Sequence, residues 1–467
     1  GGNSFWLKGS RDDHMYQHLI TTVKEAVSTI PNGRPFRIRA VLYIQGESDS
    51  ETEAKLAGER IAKLITNLRR DLPHAKEARL LVGGIAVTGS RRNVVRNQQA
   101  AEAVRNEAIE YIDNSDLKSQ LYDGLHFNKN GKLIAGQRLA ERWLRISKEL
   151  PGALRLPACF GNHMVLQSKA PLPVWGHAKP GSEVLLRLGS QQRKTTVNSQ
   201  GEWRVEFPPQ AVSATATSLT IESGKERLEL KDILIGEVWI CAGQSNMEWS
   251  VAQSVNGKKV LAEKKFPSIR LLHLVGGAGG SSGVYTAQHL ARLTAEAFCE
   301  GHWQVASPES LPGFSAVAWY FGSRLQQRLN VPIGLICPAV GGTPTEAWIS
   351  REALAADSDL KGLVCGNWLD NERLGDFCRS RGHQNLLSAI QAGDSIPGDG
   401  FGPNHSFKPG FMWEAGIKPL VPFAIQGAIW YQGESNAETR TRVREHGRLF
   451  PLLIQQWRAE WGQGDFR

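Results

Sequence analysis

Short apolar runs alternate with amphipathic segments in the first third of the chain. The apolar runs at residues 40–44 and 80–85 predict strands, and the segments at 51–70, 97–112 and 131–146 predict helices. Strands that are apolar throughout, rather than alternating, are typical of a parallel sheet covered on both faces. We therefore predict an α/β module over residues 1–150.

The pattern changes after a Pro- and Gly-containing stretch at residues 151–158, which is typical of a linker. Segments with a period of two follow at 182–188, 202–207 and 218–222, separated by turn residues. This alternation predicts a small antiparallel β-sandwich over residues 151–235.

The α/β rhythm returns over residues 236–467. We predict strands at 237–241, 333–339 and 423–431, and helices at 316–329 and 450–461. The fold class is thus α/β, in two partial copies with a small antiparallel β-sandwich between them.

An internal repeat supports the two copies. The sequence YIQGESD at 43–49 and the sequence YQGESN at 431–436 each follow an apolar strand and precede a segment rich in Glu, Ala and Arg. A weaker echo joins GGNS at 1–4 to GGTP at 341–344. We interpret the chain as two related modules in tandem.

The charged, apolar and cysteine residues of the chain bear on its partners and its location. The chain has 55 Lys and Arg against 46 Asp and Glu, but its basic residues are scattered and no nucleic-acid-reading motif accompanies them, so a nucleic-acid partner is not expected. No apolar run reaches the roughly 18 residues that a membrane span needs. The six cysteines form no C-x-x-C pair and do not fix the compartment.

Ser245 is the candidate nucleophile. It lies in AGQSNME at 242–248, directly after an apolar strand, and α/β folds place ligands at the carboxyl ends of parallel strands. A competing interpretation makes Ser245 a helix N-cap, with Glu248 completing a capping box.

His126 and Asp123, in DGLHF at 123–127, are the candidate base and its orienting acid. An Asp three residues before a His can bond Nδ1, which fixes the tautomer and leaves Nε2 as a general base. The same spacing recurs at Asp71 and His74, in a charged loop where we expect solvated side chains.

Ester cleavage also needs donors for the developing oxyanion. A glycine-loop N–H at Gly342 and the side-chain amide of Gln432 are suitable, as are Gly2 and Gln45 in the first copy. The alternative is that the Gln and Glu side chains only tie loops together.

Together these motifs carry a family resemblance. GQSNM at 243–247, GGTPTEAW at 341–348, WYQGESN at 430–436 and DGLHF at 123–127 resemble the SGNH-hydrolase superfamily, in its sialate O-acetylesterase and acetylxylan-esterase branch. Residues 156–246 resemble the family's N-terminal β-domain running into its catalytic start.

The resemblance implies an α/β/α sandwich that removes acetyl groups from carbohydrates, such as sialic acids or plant polysaccharides, with no metal or cofactor. It assigns Ser245 as nucleophile, Gly342 and Gln432 as oxyanion donors together with the Ser245 amide, His126 as base and Asp123 as its orienter.

The order of the motifs departs from the family pattern, because the Asp-x-x-His motif precedes Ser245 instead of following it. We favour two tandem esterase modules, each cut by an end of the sequence, so that the first lacks its Ser and the second its His. The other interpretation is that the complementary parts form one shared site.

Two other functions stay open. The chain could bind glycans with inert esterase-like modules, or it could hydrolyse lipid or aryl esters on the same fold. Polymer-directed esterases are usually exported, which favours an extracytoplasmic location by analogy. The sequence does not give the oligomeric state.

Overall fold

The computed structural model of the chain describes residues 14–28, 38–72, 74–147, 153–262, 266–278, 283–393 and 396–467. Gly2, with the weaker echo at 1–4, lies outside the described residues. The chain forms two compact units. The first comprises residues 1–148, 286–291 and 391–395, and the second comprises 149–285, 292–390 and 396–467.

The α-helices are α1 (His14–Ser28), α2 (Glu51–Lys55), α3 (Ala57–Asp71), α4 (Ser90–Arg105), α5 (Lys129–Ser147), α6 (Ser245–Glu248), α7 (Gly257–Leu261), α8 (Ala287–Ala291), α9 (Ala295–Phe298), α10 (Ala316–Leu329), α11 (Arg351–Ala356), α12 (Asp376–Ala392) and α13 (Arg440–Trp461). Short 3₁₀ turns lie at Ser115–Gln120, Val251–Gln253, Thr345–Trp348, Lys361–Val364, Lys418–Leu420 and Glu434–Asn436, and a π-helical turn at Trp413–Ile417.

The strands are β1 (Ala40–Tyr43), β2 (Arg79–Gly83), β3 (Ile109–Ile112), β4 (Val165–Gln167), β5 (Leu172–His177), β6 (Glu183–Leu188), β7 (Gln191–Thr196), β8 (Glu202–Phe207), β9 (Ser213–Ser223), β10 (Glu226–Gly243), β11 (Phe266–His273), β12 (Val275–Gly276), β13 (Cys299–Glu300), β14 (Trp303–Ala306), β15 (Ile333–Cys337), β16 (Gly398–Asp399), β17 (Gly402–Pro403) and β18 (Gly427–Tyr431).

The first unit is a parallel sheet in the order β1-β2-β3. On one face, Leu80 and Val82 pack in a core with Ile61 and Leu64 of α3. On the other face, a second core joins Leu81 to α5. Helices therefore cover both faces, and the predicted parallel α/β architecture is confirmed.

Two helix boundaries in this unit differ from prediction. The predicted helix at 51–70 is interrupted at Leu56, between α2 and α3. The predicted helix at 97–112 is wrong at its end, because α4 stops at Arg105 and Ile109–Ile112 is strand β3. Asn106 ends the helix: its N–H bonds the Glu102 carbonyl, and its Oδ1 accepts from the Ala108 N–H at 3.1 Å, which turns the chain into the sheet.

The second unit begins with antiparallel β-structure, in which β5 pairs β8, and β6 pairs both β7 and β9. Every second residue of β8 is buried, as the period-two pattern predicts. The long strand β10 pairs antiparallel with β9 in its first half and runs parallel between β15 and β18 in its second half. The predicted domain boundary at 235/236 lies inside this single strand. The three-domain division stays a prediction.

The parallel part of this unit has the strand order β14-β11-β15-β10-β18, with only β14 antiparallel. On one face, Trp239 and Leu335 share a core with Trp319 of α10. Helix α13 carries the buried residues Trp457 and Trp461, whose Nε1 groups donate to the carbonyls of Trp348 and Phe423. Helix α13 begins ten residues before the predicted start, because Thr439 caps it by accepting from the Arg442 N–H. Because β10 lies between β15 and β18, the residues after it lie beside the carboxyl ends of both neighbouring strands.

Candidate functional site

Ser245 follows the central strand of the second unit. Gly243 ends β10 with a φ of +145°, and a Cβ there would lie 2.1 Å from the Tyr431 carbonyl oxygen, so only glycine allows β18 this close. Gln244 is the N-cap of α6, and Ser245 is the first helical residue. The Ser245 side chain is exposed, and within the part of the chain that the structure describes its hydroxyl makes no hydrogen bond.

The capping-box interpretation of Ser245 is wrong. The N-cap is Gln244, and no side chain caps this helix. The Glu248 carboxylate instead accepts the Gly341 N–H at 2.8 Å. Desolvation by the surrounding protein raises the pKa of Glu248, and this hydrogen bond opposes the rise. The Ser245 hydroxyl is therefore available for chemistry.

The loop after β15 brings Gly341 and Gly342 beside Ser245. A Cβ on Gly341 would lie 3.6 Å from the Ser245 Cβ, so the loop runs against the serine. Gly342 has a φ of +79°, and a Cβ there would lie 2.5 Å from Phe407 Cζ. Across the described residues, the Gly342 N–H has no acceptor. A free backbone N–H near a nucleophile is the donor type that an oxyanion needs.

The loop after β18 contains Gln432. Both N–H groups of its amide donate within the protein, to the Thr343 carbonyl at 3.2 Å and to Asn436 Oδ1 at 2.7 Å. Its carbonyl oxygen accepts from the Thr345 hydroxyl. In this arrangement Gln432 ties the two loops together, and it can donate to an oxyanion only by giving up one of these bonds.

The other residues of the second Q-G-E-S motif bridge the same loops. Glu434 accepts from the Asn246 amide. The Ser435 hydroxyl donates to the Gly342 carbonyl at 2.9 Å, and the Ser435 N–H donates to Gln244 Oε1 at 3.2 Å. The motif therefore joins the nucleophile segment to the glycine loop.

A buried ion pair stabilises the residues that join these loops. Glu346 is fully buried and pairs with the Arg442 guanidinium of α13. Its second oxygen accepts from the Asn436 amide at 2.7 Å, and Asn436 Oδ1 accepts the Thr345 N–H at 2.9 Å. Sequence reasoning missed the roles of Glu346, Asn436 and Arg442, although the first two lie inside the motifs.

In the first unit, Asp123 and His126 pair as the spacing suggests. His126 Nδ1 lies 2.6 Å from Asp123 Oδ2, and Asp123 Oδ1 accepts the N–H groups of Leu125 and His126. These hydrogen bonds, that of the imidazole first, hold the pKa of Asp123 well below its usual range. Tyr122 stacks with the exposed imidazole at 5.9 Å.

The first Q-G-E-S copy follows β1 in the same unit. Gly46 and Gly433 both have positive φ, and Asp49 and Asn436, at the same motif position, are both buried. The Gln45 carbonyl accepts from Gln99 at 3.1 Å. Burial raises the pKa of Glu47, Asp49 adds to the rise, and His126 opposes it, which places Glu47 within electrostatic reach of the imidazole. The two copies thus share a glycine with positive φ and a buried side chain at matching positions.

The sequence-predicted residues thus fall into two groups. The second unit brings Ser245, Gly342 and Gln432 to the carboxyl ends of adjacent strands, and the first unit brings Asp123 and His126 into contact. Among the residues described, no cluster of three His, Cys, Asp or Glu is suited to hold a metal ion. In the same residues, no helix has the length and apolar character needed to cross a membrane.

Within the described residues, an exposed serine thus follows a parallel strand and lies beside a glycine loop whose Gly342 N–H has no acceptor. Residues 1–145 match the family model of carbohydrate esterases described as sialic acid-specific acetylesterases. Over these residues the chain is similar to this sialate O-acetylesterase family of carbohydrate esterases.

Individual relatives agree with the family match. The chain is 31% identical to the sialate O-acetylesterase of Homo sapiens over 327 residues, which are 66% of this chain and 54% of that protein. It is 30% identical to that of Rattus norvegicus over 342 residues, or 68% and 59%. A solved carbohydrate acetylesterase from Xanthomonas citri aligns with a TM-score of 0.48 and 27% identity, over 66% of this chain and 58% of that chain. The chain spans somewhat over half the length of these relatives.

Proposed function

We propose that this chain belongs to a carbohydrate O-acetylesterase that removes acetyl groups from sialic acids or acetylated polysaccharides through an acetyl-Ser245 intermediate. The observation that carries the proposal is the Ser245 hydroxyl, exposed and unbonded within the described chain, beside the free Gly342 N–H. The family match supplies the substrate class.

In the first step, Ser245 Oγ attacks the acetyl carbonyl and the carbonyl oxygen becomes an oxyanion. The Gly342 N–H and the Ser245 N–H, which as a first-turn amide has no intrahelical acceptor, stabilise this charge. A general base takes the Ser245 proton and returns it to the sugar oxygen as the bond between that oxygen and the acetyl carbon breaks, and water then hydrolyses the acetyl-enzyme to acetate. Gln432 would join these donors after releasing Thr343 or Asn436.

A histidine of an Asp-x-x-His motif can serve as such a base, and we propose that His126 fills this role in the first module. Asp123 holds Nδ1, so that Nε2 is left to accept a proton. We place His126 and Ser245 in two tandem esterase modules, over 1–150 and 236–467, with a β-domain over 151–235. The repeated Q-G-E-S loop, with the same buried position in each copy, supports this division.

One tryptophan near the motifs is exposed enough to contact a sugar. Among the tryptophans near the motifs, Trp348 and Trp413 are buried, whereas Trp249 is 51% exposed. Its backbone N–H donates to the Ser245 carbonyl at 2.8 Å, so the Trp249 backbone is fixed one helical turn after Ser245. We assign Trp249 as a surface on which a sugar ring stacks.

Acetate release from O-acetylated sialic acid and acetylated xylan tests the proposal, with Ser245→Ala and His126→Gln as variants. We expect Ser245→Ala to abolish release; unchanged release would overturn the proposal. Loss in both variants would favour one shared site, and loss only in Ser245→Ala would favour separate modules. Glycan binding without hydrolysis would favour the binding function, and equal hydrolysis of long acyl chains would favour lipid or aryl esters.

A further inference from the structure

Of three successive backbone N–H groups in the glycine loop, two have an acceptor among the described residues and the third has none. The Val340 N–H donates to the Gly243 carbonyl at 3.1 Å, which anchors the loop to the end of β10. The Gly341 N–H donates to Glu248 at 2.8 Å. The Gly342 N–H has no acceptor among the described residues. Because the first two groups are fixed, the third is held in a defined direction.

The carbonyl side of the loop is also fixed. The Gly342 carbonyl accepts from the Ser435 hydroxyl at 2.9 Å, and the Thr343 hydroxyl donates to the Val340 carbonyl at 2.8 Å. The peptide that carries the Gly342 N–H therefore lies between two side-chain contacts, one from Glu248 and one from Ser435.

Glu248 is in a position to connect the nucleophile to this loop. It lies three residues after Ser245, on the same helical turn, and a Cβ on Gly341 would lie 2.8 Å from its Oε2 and 3.6 Å from the Ser245 Cβ. Gly341 is thus pressed between the carboxylate and the serine.

We infer that Glu248 is a positioning residue that holds the Gly341–Gly342 peptide so that the Gly342 N–H faces the ester carbonyl at Ser245. Its contribution is made as a hydrogen-bond acceptor and does not require its charge. The inference rests on the proposed esterase function, since the oxyanion is the group that Gly342 would meet.

Two variants separate the acceptor from the charge. Glu248→Gln keeps a side-chain oxygen for the Gly341 N–H, whereas Glu248→Ala removes it. We expect Glu248→Ala to lower kcat for acetyl release about 10- to 100-fold with KM nearly unchanged. A misplaced oxyanion donor typically lowers the rate by about 100-fold. Glu248→Gln should retain kcat within about threefold. Glu414→Ala, which removes an exposed ion pair with Lys418 in the same unit, is the matched control.

Hydrogen exchange of a peptide spanning residues 338–345 tests the positioning independently of turnover. We expect faster exchange in Glu248→Ala than in the wild type, Glu248→Gln and Glu414→Ala. Unchanged exchange, or a kcat loss in Glu248→Gln as large as in Glu248→Ala, would overturn the inference while the esterase function stands. A wild type that hydrolyses no acetyl ester would overturn the proposed function and the catalytic part of this inference, and the exchange result would still decide the positioning.

Discussion

Asp123 Oδ2 lies 2.6 Å from His126 Nδ1, while Asp123 Oδ1 accepts the backbone N–H groups of Leu125 and His126. One carboxylate thus fixes both the imidazole and the turn that carries it. The left-handed Gly124, at a φ of +78°, lets the chain close this turn between the two residues. The imidazole has a set orientation although it is largely exposed.

Asp123→Asn tests whether His126 serves Ser245. An amide does not hold the tautomer that leaves Nε2 free as a base, so a single shared site would lose acetyl release by about 100-fold or more, whereas the separate modules that we propose should keep it. The measurement is kcat/KM on O-acetylated sialic acid with the intact chain. His74→Gln is the matched control, since His74 follows Asp71 at the same spacing, while the Asp71 carboxylate accepts from the Tyr16 hydroxyl at 2.7 Å. A large loss in Asp123→Asn, with His74→Gln unchanged, would contradict the separate modules.

Trp249→Ala should raise KM for an acetylated sugar about three- to tenfold, the loss expected for one aromatic contact. Ethyl acetate, which has no ring to stack, should show unchanged kinetics. Leu329→Ala, another exposed apolar side chain of the same unit, serves as control. Equal losses on both substrates would show that Trp249 supports the fold rather than the sugar.

Breaking the buried pair of Glu346 and Arg442 should destabilise the second unit. Arg442→Met leaves the Glu346 carboxylate unpaired in the interior, so we expect the free energy of unfolding to fall by about 3–5 kcal/mol. Adding Glu346→Gln removes the buried charge and should restore part of that loss. Urea unfolding measures both variants, with Lys418→Met as the exposed-pair control. A single variant no less stable than this control would contradict the prediction.

His405 makes the stability depend on pH. It is fully buried, its Nδ1 accepts the Phe407 N–H at 3.0 Å, and burial, with nearby Arg381, lowers its pKa to about 3. Below pH 6.5 the unfolded chain binds a proton that the folded chain excludes until about pH 3, so stability falls across that interval. At pH 5 the loss from this residue is about 2 kcal/mol.

Urea unfolding at pH 7.5 and pH 5 tests this, because His405→Gln should lose less stability on acidification than the wild type. The exposed His302→Gln variant should keep the wild-type difference. Parallel losses in His405→Gln and the wild type would show that other groups cause the acid sensitivity.

Local patterns predicted much of the architecture. Helix 316–329 and the strand at 202–207 agree with the structure residue for residue, because both are amphipathic and end at clear turn signals. The run at 109–112 was misassigned because no Gly or Pro separates it from the preceding helix. Neighbouring strand β2, not the local sequence, makes it a strand.

In the candidate site too, the sequence predicted the local contacts and missed the distant ones. Motif spacing was enough to place Asp123 near His126, which are three residues apart. It could not show that Glu248 bonds Gly341, 93 residues away, because that contact depends on β10 and β15 pairing in parallel register. The capping-box interpretation failed for this reason: a local partner for Glu248 was visible in the sequence, and the distant partner was not.

Gly342→Ala tests whether the glycine loop packs against Phe407. The left-handed backbone costs an Ala about 1–2 kcal/mol, and its Cβ would also meet Phe407 Cζ at 2.5 Å, inside a buried ring that cannot move freely. Gly224→Ala is the matched control, since Gly224 has a φ of +59° but open space around its Cβ position. Both variants should lose stability in thermal unfolding, and Gly342→Ala should lose about 1–3 kcal/mol more. Gly342→Ala should also release acetate more slowly, because relieving the clash moves the Gly342 N–H away from Ser245. If the two variants had equal stability and wild-type activity, the glycine would be needed only for its backbone angle, and the loop would not be held against Phe407 as the structure shows.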